Sequence, residues 1–368
     1  MKKQRRALLT MLLLIATVSV VRSGAAGLTP DTDTLYVGDQ GDDTVKSFNA
    51  ETGQAESFTI TDAALHGPRA LLIGGGQLLV VNQNVDQPVN GEVRQYLLRT
   101  GAFAGPLVAG TDPHAPFAPR GAVYLNGVLY VATTTNLDAT TGKEVPGEVD
   151  AFAGNGTFLG KLIPPAGFTS KFFPRAVIYR EGFLYVSSAP NLDVESEFAG
   201  IGGQVLKFDP RSFQFRGVFI DDPNGGVGGL NRPEGLVFGP DGNLYITSFQ
   251  ADPTDTDSIR IYDRYGRFLD KILLDQVGQP RAFAQALLFG PHGKLFVPIS
   301  GNGPSRGEIR QYDVRVRPSY PYKVFVPVGR LASPDYLTFG RTHPASLEYG
   351  FGEKLRDEYG LHGKFWGE

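Results

Sequence analysis

Pro174-Arg175-Ala176-Val177-Ile178-Tyr179-Arg180-Glu181-Gly182-Phe183-Leu184-Tyr185-Val186 reads as two short strands around a glycine turn. Branched and aromatic residues bounded by Gly, Asn and Pro are strand material. The second half recurs as Leu35-Tyr36-Val37, Leu78-Leu79-Val80, Leu129-Tyr130-Val131, Leu184-Tyr185-Val186, Leu244-Tyr245-Ile246 and Leu295-Phe296-Val297. The spacings are 43, 51, 55, 60 and 51 residues. A period of this length marks a repeat architecture.

A further strand follows each copy, with apolar residues at its first and fourth positions: Val45 and Phe48, Val93 and Tyr96, Val149 and Phe152, Val205 and Phe208, Ile259 and Tyr262, Ile309 and Tyr312. A turn and an outer strand come next, as in 158–163, 215–220 and 268–274. Before five copies stands a leading strand, starting at Pro68, Pro119, Pro174 and Pro233 and, without the proline, at Ala286. The first copy lacks one. Pro334-Asp335-Tyr336-Leu337-Thr338-Phe339-Gly340 matches Pro233-Glu234-Gly235-Leu236-Val237-Phe238-Gly239 in form. The expectation is an all-β, six-bladed β-propeller of four-stranded antiparallel blades, with 334–340 closing the ring as the innermost strand of blade 1. Such closure removes unpaired edges. A helical pattern is confined to 345–356.

The chain has 368 residues, 41% hydrophobic and 20% charged, with 47 Gly and 26 Pro. This is turn-rich, yet below the ~25–30% Pro plus Gly of low-complexity chains. Thirty-five Lys and Arg against 38 Asp and Glu give a net charge of −3, which argues against a nucleic-acid binder. The absence of Cys excludes disulfides, thiolate metal sites and thiol catalysis. Lys2-Lys3-Gln4-Arg5-Arg6, the apolar run 7–21 and the small residues 23–27 form a signal-peptide pattern, cleaved after Ser23 or Ala25, or else retained as an anchor. The expected organisation is a signal peptide (1–25), a propeller (26–340) and a C-terminal extension (341–368), secreted or periplasmic, with no membrane span after cleavage. The extension holds His343, His362 and the sole Trp, Trp366.

The pattern Pro-x-Gly, strand, turn, Leu-Tyr-Val, loop, strand resembles the NHL-repeat propellers and the related gluconolactonase and streptogramin-lyase propellers. Leu35-Tyr36-Val37-Gly38-Asp39 through Val45 and Phe48 is the best single match, and the resemblance covers 33–340. The lone Trp lies outside the repeats, which argues against WD-repeat propellers. The resemblance implies fold more firmly than activity.

In such a blade the innermost strand starts at one face of the ring, so the residue after its proline lines a mouth. Around the ring from blade 2 the aligned positions are Arg69, Arg120, Arg175, Glu234, Gln285 and Asp335; blade 6 is offset, with Pro280-Arg281 standing before Gln285, so Arg281 is a neighbour rather than an equivalent. Converging guanidinium groups bind carboxylate or phosphate in bidentate fashion. The alternative is that these arginines brace loops by pairing with local acids such as Asp86, Asp138 and Asp193. Gluconolactonase-like propellers carry Glu, Asn or Asp at several of these positions and hold a divalent metal there. Only Glu234, Asp335 and weakly Gln285 keep that chemistry. No resident cofactor or metal is therefore expected. The Asn/Asp-rich loops at 82–86, 136–138 and 191–193, with Asp252, Asp255 and Asp257, suit turns or Arg partners better than calcium.

A streptogramin-lyase likeness would require a histidine at the mouth, and only His66 and His114 stand in loops before innermost strands. No serine sits in a Gly-x-Ser-x-Gly turn. Arg310, Arg315 and Arg317 read as solvated. Two functions follow. One is a binding propeller that takes an anionic small molecule or a protein at the Arg-lined mouth. The other is a metal-assisted lactonase or lyase with Glu234 and Asp335 as metal ligands or base.

Overall fold

The computed structural model describes residues 33–350 except 86, 88, 139 and 192–201. The signal-peptide pattern, Asp86, Asp193, His362 and Trp366 lie outside the described residues. Blade 1 contributes β1 (Thr34–Asp39), β2 (Thr44–Asn49) and β3 (Ala55–Thr61). Blade 2 is β4 (Pro68–Gly74), β5 (Gln77–Asn82), β6 (Glu92–Leu97) and β7 (Phe103–Val108). Blade 3 is β8 (Pro119–Leu125), β9 (Val128–Leu137), β10 (Glu144–Ala153) and β11 (Phe158–Leu162). Blade 4 is β12 (Pro174–Arg180), β13 (Phe183–Ser188), β14 (Gly203–Phe208) and β15 (Phe215–Asp222). Blade 5 is β16 (Leu236–Phe238), β17 (Leu244–Ser248), β18 (Ser258–Tyr262) and β19 (Phe268–Leu273). Blade 6 is β20 (Leu288–Phe289), β21 (Leu295–Ile299), β22 (Glu308–Tyr312) and β23 (Tyr322–Val326).

The last strand, β24 (Pro334–Phe339), pairs antiparallel with β1, matching Leu35 to Phe339 and Gly38 to Tyr336. The six sheets are each four-stranded, and the first has the order β24-β1-β2-β3. Closure by the C-terminal strand is thus as the sequence implied. Among the described residues the only helical turn is a 3-10 turn at Pro291–Gly293.

The repeated motif explains the packing. Its leucines and its third residues (Val37, Val80, Val131, Val186, Ile246 and Val297) are all fully buried. Its aromatic middle residue reaches the innermost strand of the next blade. Tyr185 meets Phe238 edge-on at 5.2 Å, Tyr245 meets Phe289 at 5.1 Å, and Phe296 meets Phe339 at 5.0 Å. Each such edge-to-face pair adds about 0.5–1.5 kcal/mol beyond its buried area. The small residue after the mouth position in blades 2–6 has its own reason. A Cβ on Gly121 would lie 2.6 Å from the Ala176 Cα of the next blade, and one on Gly235 would lie 2.8 Å from the Ala286 Cα. Neighbouring innermost strands come too close for anything larger.

The leading strands of blades 5 and 6 are shorter than the sequence implies. At Glu234 and Gly235 the backbone N–H groups donate to the Thr247 hydroxyl, at 3.2 and 2.9 Å, instead of joining the ladder. Residues 341–350 form turns rather than a helix, with a bridge between Thr342 and Tyr349. They pack on the far ends of the innermost strands. Tyr124 N–H donates to Pro344 O at 2.9 Å and Tyr179 N–H to Ala345 O at 3.0 Å. Ala345 is fully buried, and Leu347 touches the hydrophobic clusters of several blades. This segment lies at the end opposite the mouth residues.

Candidate functional site

Arg69, Arg120, Arg175 and Asp335 are each the second residue of β4, β8, β12 and β24. At each of them the pairing register slips: between Pro68 and Leu71, Pro119 and Ala122, Pro174 and Ala176, and beside Asp39. A bulge re-aims a side chain that the regular pleat would send into a sheet face. Hydroxyls of one blade hold the backbone at the mouth of the next. Thr134 donates to Pro174 O at 2.9 Å, Ser187 to Glu234 O at 2.9 Å, and Ser300 to Pro334 O at 2.7 Å.

The six aligned positions therefore converge. Arg69, Arg120, Arg175, Glu234 and Asp335 are buried, and Gln285 is half-buried. Arg69 donates to Gln83 Oε1 at 2.6 Å and to Gln285 Oε1 at 3.2 Å, and it pairs with Asp335. Asp335 also accepts from Ser300 at 2.7 Å and from Gln285 Nε2 at 2.9 Å. Arg120 donates to Gln285 Oε1 at 2.9 Å and stands 3.8 Å from Glu234 Oε2. Arg175 stands 3.6 Å from Glu234 Oε1. A fourth arginine, Arg232, donates to the same oxygen at 3.0 Å.

The arginines thus meet acids of other blades, Asp335 and Glu234, while Arg69 also donates to Gln83 in the loop of its own blade. Asp138, offered as a partner for Arg120, instead accepts from Thr140 N–H at 3.0 Å and Thr141 N–H at 2.8 Å, closing its own turn. Asp252 likewise accepts from Thr254 N–H at 2.7 Å. Arg281 is drawn away from the ring: it grips Asp257, with Nη2 to Oδ1 at 2.5 Å, and lies over Phe283 and Phe249. Arg310, read as solvated, is buried against Glu308 and the Leu274 carbonyl, while Arg315 is exposed.

Sequence reasoning missed Arg232, Ser300 and Tyr336. Arg232 stands two residues before Glu234 in an Asn-Arg-Pro-Glu run, and a count of charges beside each mouth proline would have found it. Tyr336 occupies the position that is Gly or Ala in the other five blades. That break in the pattern was legible.

Burial alone would raise the Glu234 carboxyl, but Arg175, Arg120, Arg232 and Arg69 together hold it below its usual range. Burial raises Asp335, with Arg69 and Ser300 opposing. Burial drives Arg175 well down, and burial with the Arg69 charge brings Arg120 to about 10. Burial pushes the Tyr336 hydroxyl up to about 12, so it stays protonated. All three guanidinium nitrogens of Arg175 are buried without a hydrogen-bond partner, as are Glu234 Oε2 and the Tyr336 hydroxyl.

This donor set does not fit a divalent cation. Both carboxylates already receive arginine, whereas a hard cation wants about six oxygen ligands. Among the described residues no group of three or more His, Asp or Glu side chains is placed to hold a metal.

No protein-family model matches the chain, and no curated protein matches it in sequence. Solved structures do match. A protein of unknown function from Bacteroides caccae has a TM-score of 0.54 at 10% identity, over 84% of this chain and 98% of that one. A candidate 6-phosphogluconolactonase from Bacteroides uniformis has 0.51 at 13%, over 84% and 100%. A catalytically inactive virginiamycin B lyase from Staphylococcus aureus, solved with quinupristin, has 0.50 at 12%, over 83% and 88%. The six-bladed propeller of this chain is similar in overall fold to these solved structures. At these identities the likeness is one of fold alone.

Proposed function

We propose that this chain is an exported propeller that binds a small anionic molecule in the ring formed by Arg69, Arg120, Arg175, Glu234, Gln285 and Asp335. The observation that carries this reading is Arg175. A guanidinium has five N–H donors, and leaving a buried charged donor unmet costs more than the usual ~1–3 kcal/mol of a neutral group. Evolution tolerates that cost where a ligand supplies the acceptors. Burial also argues for a small molecule over a protein partner. A protein surface lies over some 800 Å² of its partner, and these guanidinium groups are at most 3% exposed.

The lactonase or lyase reading is the second one. Its support is the fold and the pairing of one acid, Glu234, with an arginine clamp. A carboxylate held below its usual range is a weak base near neutral pH, and the donor set does not favour a metal. The binding reading therefore fits these residues better. Among the described residues no helix is long and apolar enough to cross a membrane.

The test is thermal unfolding of the full chain against acetate, glycolate, citrate, phosphate and sulfate. A ligand of the native state at 100 times its Kd adds about 2.7 kcal/mol of stability. At least one anion should raise the melting point in the wild type and not in Arg175→Gln. A panel without effect, or a shift that survives the substitution, refutes the reading.

A further inference from the structure

Three buried polar groups in the ring lack hydrogen bonds: the Arg175 guanidinium, Glu234 Oε2 and the Tyr336 hydroxyl. They differ in what they need. Arg175 can only donate. Glu234, held ionised by its arginines, can only accept. Tyr336, held protonated, can do both. Arg175 and Glu234 are neighbours, 3.6 Å apart at Nη1 and Oε1, and Arg120 Nη1 stands 3.8 Å from Glu234 Oε2, beyond hydrogen-bond distance.

An anion alone cannot satisfy this set. It would meet Arg175, but the Glu234 carboxylate stands 3.6 Å from that guanidinium, so like charges would be brought together in a site of low dielectric. A neutral polyol would satisfy Glu234 and bring no anionic acceptor to the Arg175 N–H groups. We infer that the ligand is a hydroxy acid, with its carboxylate on Arg175 and a neighbouring hydroxyl donating to Glu234 Oε2. Tyr336 donates to the carboxylate or accepts from a further hydroxyl. Guanidinium and carboxylate are matched planar forks, which suits the fully enclosed Arg175. This inference rests on the anion-binding reading and narrows it to a substrate class.

The experiment is calorimetric titration of the full chain with matched acids that differ by one hydroxyl: glycolate against acetate, and each lactate enantiomer against propionate. The hydroxylated member of a pair should bind at least about tenfold more tightly, because a site built around a hydroxyl rejects the analogue that lacks it. Glu234→Gln should erase that preference. Tyr336→Phe removes a hydroxyl that makes no hydrogen bond in the fold, so it leaves folding intact and should weaken hydroxy-acid binding. Equal affinities within both pairs, with anions still bound, overturn the inference and leave anion binding standing. No binding of any carboxylate, with phosphate or sulfate bound, also overturns it. Failure of every anion overturns both readings.

Discussion

Replacing Arg175 by Met should stabilise the ligand-free protein. The reasoning starts from its neighbours. At an effective dielectric of ~20, Glu234 at 3.6 Å attracts the guanidinium by roughly 5 kcal/mol. Arg120 and Arg232 repel it, and full burial removes its hydration with no hydrogen bond in return. The sum disfavours the charged side chain, which is why its proton affinity is driven down. Apolar replacement of a whole buried ion pair stabilises by about 1–4 kcal/mol, and loss of one partner is costly when it strands the other charge; here Glu234 keeps Arg232 at 3.0 Å and Arg120 at 3.8 Å, so the loss of Arg175 strands no charge. A gain of about 2 kcal/mol corresponds to roughly 3 °C in melting point for a chain of this size.

Arg69→Met is the contrast. Arg69 is bonded to Gln83, Gln285 and Asp335. Its loss leaves a buried carboxylate short of its cation and should cost about 3–5 kcal/mol. The assay is differential scanning calorimetry on protein refolded from denaturant, so that no co-purified ligand remains. If Arg175→Met loses as much stability as Arg69→Met, Arg175 is a structural brace, and the case for a ligand fails.

Two further predictions concern positions near blade 3. Burial, with Glu148 adding to it, raises Asp150 to about 7. Its unfolded value is about 3.9, so between pH 4 and 7 the folded chain keeps a proton that the unfolded chain has lost. Stability from this group is therefore present at pH 4 and lost as pH rises to 7. Asp150→Asn should exceed the wild type by about 2–4 kcal/mol at pH 8 and match it near pH 4, measured by urea denaturation; a gap independent of pH would refute the assignment. Gly121→Ala puts a Cβ 2.6 Å from the Ala176 backbone. It should cost about 1–3 kcal/mol of stability and weaken anion binding, because it pushes the strand that carries Arg175. Wild-type stability and affinity in this variant would show that the strands have slack.

The sequence by itself determined the blades. Leu, a residue that is aromatic in five copies, and Val or Ile recur six times, each copy flanked by turns. Alternation and spacing are local properties, and they dictate strand, turn and buried face without knowledge of the partner. The match of Pro334-Asp335-Tyr336 to Pro233-Glu234-Gly235 even placed the closing strand, because a ring must use its last strand somewhere. It also brought the mouth residues to one face, since five of the six follow the same proline and Gln285 holds the equivalent place before its own leading strand. Only the tertiary structure decided what those residues do to one another. Arg69 and Asp335 stand 266 positions apart, and no local rule chooses an acid so distant in sequence as its partner. Arg281 and Arg310 are alike in composition to the ring arginines, yet Asp257 and Glu308 capture them. The reason is physical: pairing among buried charges depends on distances of a few ångströms across the ring axis, and those are fixed only when all six blades have closed.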